Sequence, residues 1–206
     1  MLFAAWSTAV FLGSQLQDWD AHIHAMIVRR PHDVVYLAMD WVSRLHDTVP
    51  VLVYVTVLVV YLWRAGETRW AWVLCVAGPA LLLMNTLLKH AFSRPRPSPL
   101  PGMEQLSSWS FPSGHTLGAT AFYGFLVGFF WLRASAGSRT RWLMTLFAAL
   151  AIVTVAVSRV MLGVHYLSDV VASIFEGCAL VAAVLAALTC AESSAGDSLP
   201  EERTDQ

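Results

Sequence analysis

Three short groups of residues carry the chemistry of an otherwise apolar chain. Each group contains cations or histidines, with serine, proline or carboxylate neighbours, and each lies at the end of a long apolar stretch. Such side chains can supply the donors, the nucleophile and the acid that transfer of a phosphoryl group requires. The first group is Lys89 with Arg96-Pro97, the second is Pro112-Ser113-Gly114-His115, and the third is Ser158-Arg159 with His165 and Asp169.

The cations of the first and third groups suit the binding of a phosphate. A phosphoryl group in transit spreads negative charge over its equatorial oxygens, which positioned donors stabilise. Arg96 and Arg159 each offer a planar fork that can hold two oxygens, whereas Lys89, the only lysine of the chain, is a compact point charge. Arg94 falls outside this spacing, and we interpret it as a cation that anchors the chain at the membrane interface.

Pro112-Ser113-Gly114-His115 has the features of a helix start. Ser113 is placed as the N-cap, and an apolar stretch begins at Thr116. Free backbone N–H groups at a helix start bind anions, Gly114 permits close approach of a phosphate, and the serine hydroxyl adds a donor. The commoner role of a serine and glycine at this position is plain capping, which is the alternative interpretation.

His165 and Asp169 are four residues apart, a spacing that places two side chains on one face of a helix. We therefore expect the carboxylate to hold one ring nitrogen and to leave the other free to attack phosphorus. The alternative is a pair that only stabilises a helix. Glu176, seven residues after Asp169, is predicted on nearly the same face, where it could line a cavity; it is assigned no catalytic role.

The composition indicates a membrane protein. Of the 206 residues, 57% are hydrophobic and 13% are charged, which is too apolar for a soluble domain of this length. Residues 17–44 mix charged and apolar side chains, as interfacial helices do. We therefore predict an all-α bundle of six transmembrane helices, with interfacial helices between the first and second spans. The predicted spans are 48–63, 70–88, 116–132, 142–158 and 166–191, with a shorter first span at 1–12.

The distribution of arginine predicts the orientation of these spans. The short loops 64–69 and 133–141 are rich in arginine, so the positive-inside rule makes their side cytoplasmic. The three chemical groups then face the periplasm or the cell exterior. One membrane domain is predicted over 1–191, followed by a disordered acidic tail over 192–206.

Charge and cysteine spacing exclude two kinds of ligand from the prediction. The net charge of −1 and the absence of a run of Lys or Arg argue against a nucleic-acid partner. No cysteine, histidine or carboxylate group has the spacing of a metal site, so we predict a reaction without metal or other cofactor. The cysteines, Cys75, Cys178 and Cys190, all lie within apolar stretches.

Together, the three groups resemble the signature motifs of the type 2 phosphatidic acid phosphatase superfamily, which includes bacterial lipid phosphatases and vanadium haloperoxidases. Every motif position matches. The resemblance implies that His165 forms a phosphohistidine, that Asp169 orients it, and that His115 is the general acid toward the departing lipid oxygen. It also implies phosphate contacts from Lys89, Arg96 and Arg159, to which the helix start adds Ser113 and Gly114.

The predicted function is that of an integral-membrane lipid phosphatase, with a lipid phosphate as substrate and membrane lipids as surroundings. Undecaprenyl diphosphate, phosphatidylglycerophosphate and phosphatidic acid all remain open as substrates, and the sequence leaves the oligomeric state open. Two alternatives are a vanadate-dependent haloperoxidase and a non-catalytic lipid-binding or transport protein of the same fold. The apolar composition disfavours the first alternative, and the intact motifs disfavour the second.

Overall fold

The apolar stretches of the sequence form long α-helices that are separated by short polar turns. The computed structural model describes residues 14–196 apart from 100, 102, 104, 105 and 136, and these described residues contain no strand. They form seven helices: α1 (Ser14–Ile27), α2 (Val34–Arg44), α3 (Thr48–Arg64), α4 (Thr68–Phe92), α5 (Gly114–Arg133), α6 (Arg139–Met161) and α7 (Leu167–Gly196).

Four of these helices are long and apolar enough to cross a membrane, namely α4, α5, α6 and the Leu167–Cys190 part of α7. Helices α2 and α3 meet the same criterion as a pair, although they are bent by 47° relative to each other. The predicted all-α membrane bundle is therefore confirmed. The short first span predicted at 1–12 lies outside the described residues, so the number six stays a prediction.

Several helix ends form for reasons visible in the sequence. Oδ1 of Asp33 accepts a 2.7 Å hydrogen bond from the backbone N–H of Val35, which caps the start of α2.

The end of α7 differs from our expectation, because the helix continues to Gly196, past the boundary expected at residue 191. The rest of the predicted acidic tail, residues 197–206, lies outside the part of the chain that the structure describes.

Helices α5 and α7 pack closely against each other. A Cβ atom added at Gly177 would lie 2.7 Å from Cβ of Thr120, so only a glycine lets the two backbones come this close. Small residues serve this purpose at many contacts between membrane helices. His115 lies in the first turn of α5 and Asp169 in the first turn of α7, so this packing sets their relative positions.

The opposite end of the bundle is held by aromatic contacts and an ion pair. The ring of Trp70 lies 5.1 Å, centroid to centroid, from each of Phe125 and Phe129, with the planes edge to face. Nη2 of Arg133 lies 2.5 Å from Oε2 of Glu67, which joins the α3–α4 turn to the end of α5. The two arginine-rich loops therefore belong to one end of the bundle, and the three chemical groups belong to the other.

Large apolar side chains remain exposed on the outer faces of the spans. Val76 and Leu83 on α4, and Leu143 and Leu150 on α6, each leave more than half of their surface uncovered by protein. Water would make such exposure unfavourable, whereas lipid chains cover it without cost. The bundle is thus built to be solvated by a bilayer.

Candidate active site

His165 lies in the turn between α6 and α7 and is 2% exposed. We expected it on the same helix face as Asp169, but α7 begins only at Leu167, so this part of the prediction is wrong. Gly163, with φ of 71°, reverses the chain before the helix starts. The turn still brings the pair together, and Nδ1 of His165 lies 3.5 Å from Oδ2 of Asp169.

The contact between His165 and Arg96 identifies which ring nitrogen carries the lone pair. Nη1 of Arg96 lies 3.3 Å from Nε2 of His165. A guanidinium has only donors, so Nε2 must accept and the ring hydrogen is placed on Nδ1, facing Asp169. Burial lowers the pKa of His165 to about 3, although the Asp169 carboxylate acts in the opposite direction. At neutral pH the ring is therefore uncharged, with Nε2 available as a nucleophile.

Lys89 and Arg96 are both held by the loop that precedes α5. Nζ of Lys89 donates to the backbone carbonyl of Trp109 over 2.6 Å. Arg96 donates through Nε to the Ser108 carbonyl and through Nη2 to the Ser108 hydroxyl, over 2.6 and 2.8 Å. The third guanidinium nitrogen of Arg96, Nη1, donates to the carbonyl of Val164 over 2.6 Å. No motif or spacing in the sequence singles out Ser108 or Trp109, because both act mainly through backbone carbonyls.

Arg159, which is 7% exposed, lies at the end of α6 and faces α2. Its Nη1 donates to the hydroxyl of Ser43 on α2. Its Nε is buried and has no hydrogen-bond partner among the described residues. A buried donor without a partner is costly, so this edge of the guanidinium is suited to an added acceptor such as a phosphate oxygen.

His115 faces a carboxylate that no motif indicated. Its Nε2 lies 2.7 Å from Oδ1 of Asp47, the residue that precedes α3. The Asp47 side chain is 51% exposed and that of His115 is 24% exposed, so this pair is in contact with solvent. Each of the two motif histidines thus has a carboxylate neighbour, one buried and one accessible.

Ser113 occupies the N-cap position of α5, as predicted, but it forms no side-chain cap. Its backbone N–H donates to the hydroxyl of Ser173 over 2.8 Å, and its own hydroxyl lies 3.1 Å from that of Thr116. A Cβ atom at Gly114 would lie 3.1 Å from Nδ2 of Asn85, so this glycine has limited space beside α4. The helix start is therefore more tightly packed than an open anion site.

A cavity of about 360 Å³ lies between the motif residues and helix α2. Arg96, His115 and Arg159 line it, and His165 is joined to this set by its contact with Arg96. Lys89 is not among the lining residues, because its ammonium group is turned toward the loop. The opposite wall comes from α2 and the turn after it, through Tyr36, Asp40, Ser43, Arg44 and Asp47.

Arg94 is not an interfacial anchor, and that interpretation is wrong. The residue is 8% exposed, and its guanidinium forms ion pairs with Asp169 over 2.5 Å and with Asp20 over 2.7 Å. Burial alone would lower the pKa of Arg94, but the two carboxylates raise it above its ordinary value. Sequence spacing could not indicate this role, because Asp20 lies on a distant helix outside the motifs.

Glu176 lies seven residues further along α7 than Asp169. Its side chain is buried, and neither carboxylate oxygen has a hydrogen-bond partner among the described residues. It does not line the cavity that Arg96 and Arg159 share. The expectation of a cavity beside this residue stays a prediction.

Two solved structures are similar in fold to this chain. The crystal structure of the first transmembrane PAP2-type phosphatidylglycerolphosphate phosphatase from Bacillus subtilis superposes with a TM-score of 0.78, covering 98% of this chain and 96% of that one at 24% identity. The crystal structure of Aquifex aeolicus LpxE gives a TM-score of 0.59, covering 82% of this chain and 93% of that one at 21% identity. These identities establish likeness of fold alone.

Sequence comparison identifies the family. A segment of 88 residues is 36% identical to phosphatidylglycerophosphatase B of Bacillus subtilis (strain 168). It covers 43% of this chain and 43% of that relative, so the match spans less than half of the relative's length. The family model of the PAP2 superfamily matches residues 70–190, which include all three motifs. Since that match extends over more than half of the sequence, this chain belongs to the PAP2 superfamily.

Proposed function

We propose that this protein is an integral-membrane phosphatase that hydrolyses a phosphomonoester or a diphosphate of a lipid. The observation that carries the proposal is the Arg96–His165 contact, because it leaves an unprotonated Nε2 beside a guanidinium. Arg159 and His115 line the adjoining cavity and provide a second cation and an acid. Membership in the PAP2 superfamily and the similarity to a phosphatidylglycerophosphatase of Bacillus subtilis support the same reaction.

In the first step, Nε2 of His165 attacks phosphorus opposite the bond to the lipid oxygen. The N–P bond forms, and the P–O bond breaks with both of its electrons leaving on the lipid oxygen. His115 transfers a proton to that oxygen, which releases a lipid alcohol from a monoester or a lipid monophosphate from a diphosphate. The phosphohistidine ring keeps its hydrogen on Nδ1, where the Asp169 carboxylate stabilises the positive charge.

In the second step, water attacks the phosphorus of the phosphohistidine. A proton of the water passes to His115, the N–P bond breaks, and its electron pair returns to Nε2. Arg96 and Arg159 stabilise the charge on the phosphoryl oxygens in both steps. The remaining proposed phosphate contacts are Lys89, which must first leave the carbonyl of Trp109, and Ser113 with Gly114 at the start of α5.

The position of the cavity at helix ends suits a lipid substrate. The phosphate can enter between Arg96 and Arg159 while the apolar chains stay in the bilayer. The arginine-rich loops at the other end of the bundle favour a cytoplasmic location for that end. We therefore place the cavity on the periplasmic side of a bacterial inner membrane, with undecaprenyl diphosphate, phosphatidylglycerophosphate and phosphatidic acid as the substrates to test.

A screen of phosphate release tests the reaction class and the nucleophile together. Purified protein in detergent is incubated with each of the three lipids, beside the variants His165→Ala and His22→Ala. His22 is an exposed histidine on α1 and serves as the matched control. We expect release from at least one lipid by the wild type and by His22→Ala, and a loss of at least about 1,000-fold in His165→Ala.

Labelled substrate tests the covalent intermediate. Lipid carrying ³²P in its terminal phosphate should transfer label to the wild-type protein in a bond that is stable to alkali and labile to acid, as expected for a phosphohistidine. His165→Ala should acquire no label. Equal phosphate release by the wild type and His165→Ala would refute the proposed nucleophile, and release of no phosphate from any lipid phosphate would refute the proposed function.

A further inference from the structure

A buried ionic cluster joins α1 to the catalytic pair. Nη1 of Arg94 donates to Oδ1 of Asp169 over 2.5 Å and to the hydroxyl of Ser168 over 2.7 Å. Its Nη2 donates to Oδ2 of Asp20 over 2.7 Å. Asp20 is 3% exposed and Asp169 is fully buried, so none of these contacts is weakened by water. One guanidinium thus binds two carboxylates that come from opposite ends of the chain.

Asp20 also fixes the start of α7. Its Oδ1 accepts a 3.0 Å hydrogen bond from the backbone N–H of Ser168, and its Oδ2 accepts from the Ser168 hydroxyl. The N–H groups in the first turn of a helix have no partner within the helix, so an accepting carboxylate stabilises that end. Because Asp169 is the next residue, this contact holds the backbone that carries the carboxylate facing His165.

The orientation of the Asp169 carboxylate is fully determined by its neighbours. Oδ1 is held by Arg94, while Oδ2 accepts from the hydroxyl of Ser110 over 2.5 Å and from the backbone N–H of Tyr166 over 2.9 Å. Oδ2 is also the oxygen that faces Nδ1 of His165. Rotation of the carboxylate would therefore break several buried hydrogen bonds at once.

The cluster also places a net negative charge near His165. Asp20, Arg94 and Asp169 together hold two negative charges and one positive charge, which leaves one net negative charge on the Nδ1 side of the His165 ring, opposite the Arg96 guanidinium at Nε2. Positive charge develops on the ring as Nε2 attacks phosphorus. A fixed negative charge in a buried site stabilises that change strongly.

We propose that Asp20 and Arg94 are positioning residues, which hold the Asp169 carboxylate against Nδ1 of His165 and thereby accelerate the attack by Nε2. This inference rests on the proposed function. Neither residue lines the cavity, so neither is expected to contact the substrate. Both act through Asp169, and their effect is on the rate of the chemical step rather than on substrate binding.

Two conservative substitutions test the proposal. Asp20→Asn keeps the shape of the side chain but has only one accepting oxygen. Its amide group would therefore face a donor, either Arg94 or the Ser168 N–H. Arg94→Lys keeps the charge but cannot reach Asp169 and Asp20 with a planar fork. The matched controls are Asp18→Asn and Arg30→Lys, two exposed residues of the same N-terminal region.

Single turnovers with enzyme in excess over lipid separate positioning from stability. The observed rate constant rises with enzyme concentration to a plateau, which reports the chemical step in correctly folded molecules. A loss of folded protein shifts only the enzyme concentration at half saturation and leaves the plateau unchanged. We expect both variants to lower the plateau about 10- to 100-fold, as loss of a hydrogen bond to a charged group does, with half saturation within about twofold of the wild type.

The outcomes distinguish this inference from the proposed function. Plateau rates equal to the wild type in Asp20→Asn and Arg94→Lys would overturn it, whether or not half saturation had shifted, because the residues would then be structural only. A reduction of equal size in the two control variants would also overturn it. Failure of the wild type to turn over any lipid phosphate would instead refute the proposed function.

Discussion

Nη1 of Arg96 lies 3.3 Å from Nε2 of His165, so the proposed nucleophile and one of the proposed phosphate-binding cations are already in contact. The guanidinium donates a hydrogen bond to the Nε2 lone pair, which in the proposed mechanism attacks phosphorus. An incoming phosphate offers stronger acceptors than a neutral imidazole, because its oxygens are charged. Substrate binding is therefore expected to draw the Arg96 donor toward phosphate and to free Nε2 at the same time.

The acidic limb of the pH–rate profile should lie far below the ordinary range of histidine. Burial lowers the pKa of His165 to about 3, and the nucleophile is active when it is neutral, which is the form present above its pKa. Because its pKa is lowered, His165 stays neutral, and thus active, at lower pH than an ordinary histidine. We expect kcat/KM measured from pH 4 to 9 to show no limb near pH 6.5 that belongs to the enzyme, because the acidic limb of His165 lies below this range.

The control for this measurement is the titration of the substrate, which ³¹P NMR provides independently. A limb near pH 6.5 that does not follow the phosphate of the substrate would contradict the assignment of the lone pair to a buried, neutral His165.

Arg159→Lys should weaken the binding of phosphate as well as slow its transfer. The guanidinium uses Nη1 on Ser43 and keeps a buried Nε without a partner among the described residues. Lysine retains the charge but cannot contact the serine and a phosphate oxygen in the same planar geometry. We expect kcat/KM to fall about 10- to 100-fold and inorganic phosphate to become a weaker inhibitor. Arg30→Lys is the control, and unchanged inhibition in Arg159→Lys would refute this contact.

Asp47→Asn should slow the reaction only when the leaving group needs a proton. Nε2 of His115 lies 2.7 Å from Oδ1 of Asp47, so this carboxylate can orient the ring that acts as the proposed acid. With a lipid substrate we expect a loss of about tenfold, and His115→Asn should lose more. With p-nitrophenyl phosphate, whose leaving group is stable as an anion, both variants should release the first equivalent of p-nitrophenol at a nearly wild-type rate, although His115→Asn also slows the later hydrolysis of the phosphohistidine. Equal losses in the rate of this first release on the two substrates would contradict an acid role.

Activity should survive chelation of divalent cations. The proposed phosphate contacts are arginine, lysine and helix-start groups, and the described residues include no group of three or more His, Cys, Asp or Glu side chains placed to hold a metal. We expect the same kcat in buffer with EDTA as in buffer with Mg²⁺. Complete loss with EDTA, restored by one divalent ion, would require a different mechanism.

The sequence was informative where one side chain determines local structure. Arginines follow the apolar stretches, because a charged side chain is unfavourable within the hydrocarbon core of a membrane. Helices α3 and α5 end at such residues, Arg64 and Arg133. Elsewhere the backbone continues past the charge, as α4 does from Lys89 to Phe92, since a helix can extend into the interface. Boundaries of spans and boundaries of helices are therefore related but not identical.

Contacts between distant segments could not be predicted in this way. Asp20 and Ser168 are separated by 148 positions, and Asp47 reaches His115 across 68. No periodic pattern within one helix encodes such pairs. The spacing of His165 and Asp169 gave a correct contact from an incorrect premise, because a turn at Gly163 brings them together instead of a helix.

Gly177→Ala should destabilise the bundle through the contact between α5 and α7. The added Cβ would lie 2.7 Å from both Cβ and Cγ2 of Thr120, and Thr120 is itself buried and donates its hydroxyl to the carbonyl of Thr116. The clash involves a Cβ atom that cannot rotate away, so the helices must separate slightly. We expect a loss of about 1–3 kcal/mol, the usual cost of overpacking, which appears as a lower Tm in detergent.

Gly118→Ala is the matched control for this substitution. A Cβ at Gly118 in α5 would meet nothing within 4 Å, and alanine favours a helix over glycine. Its Tm should therefore equal or exceed that of the wild type. Because His115 and Asp169 lie at the first turns of α5 and α7, Gly177→Ala should also reduce kcat. A Tm in Gly177→Ala as high as in Gly118→Ala would show that the two helices are not packed this closely.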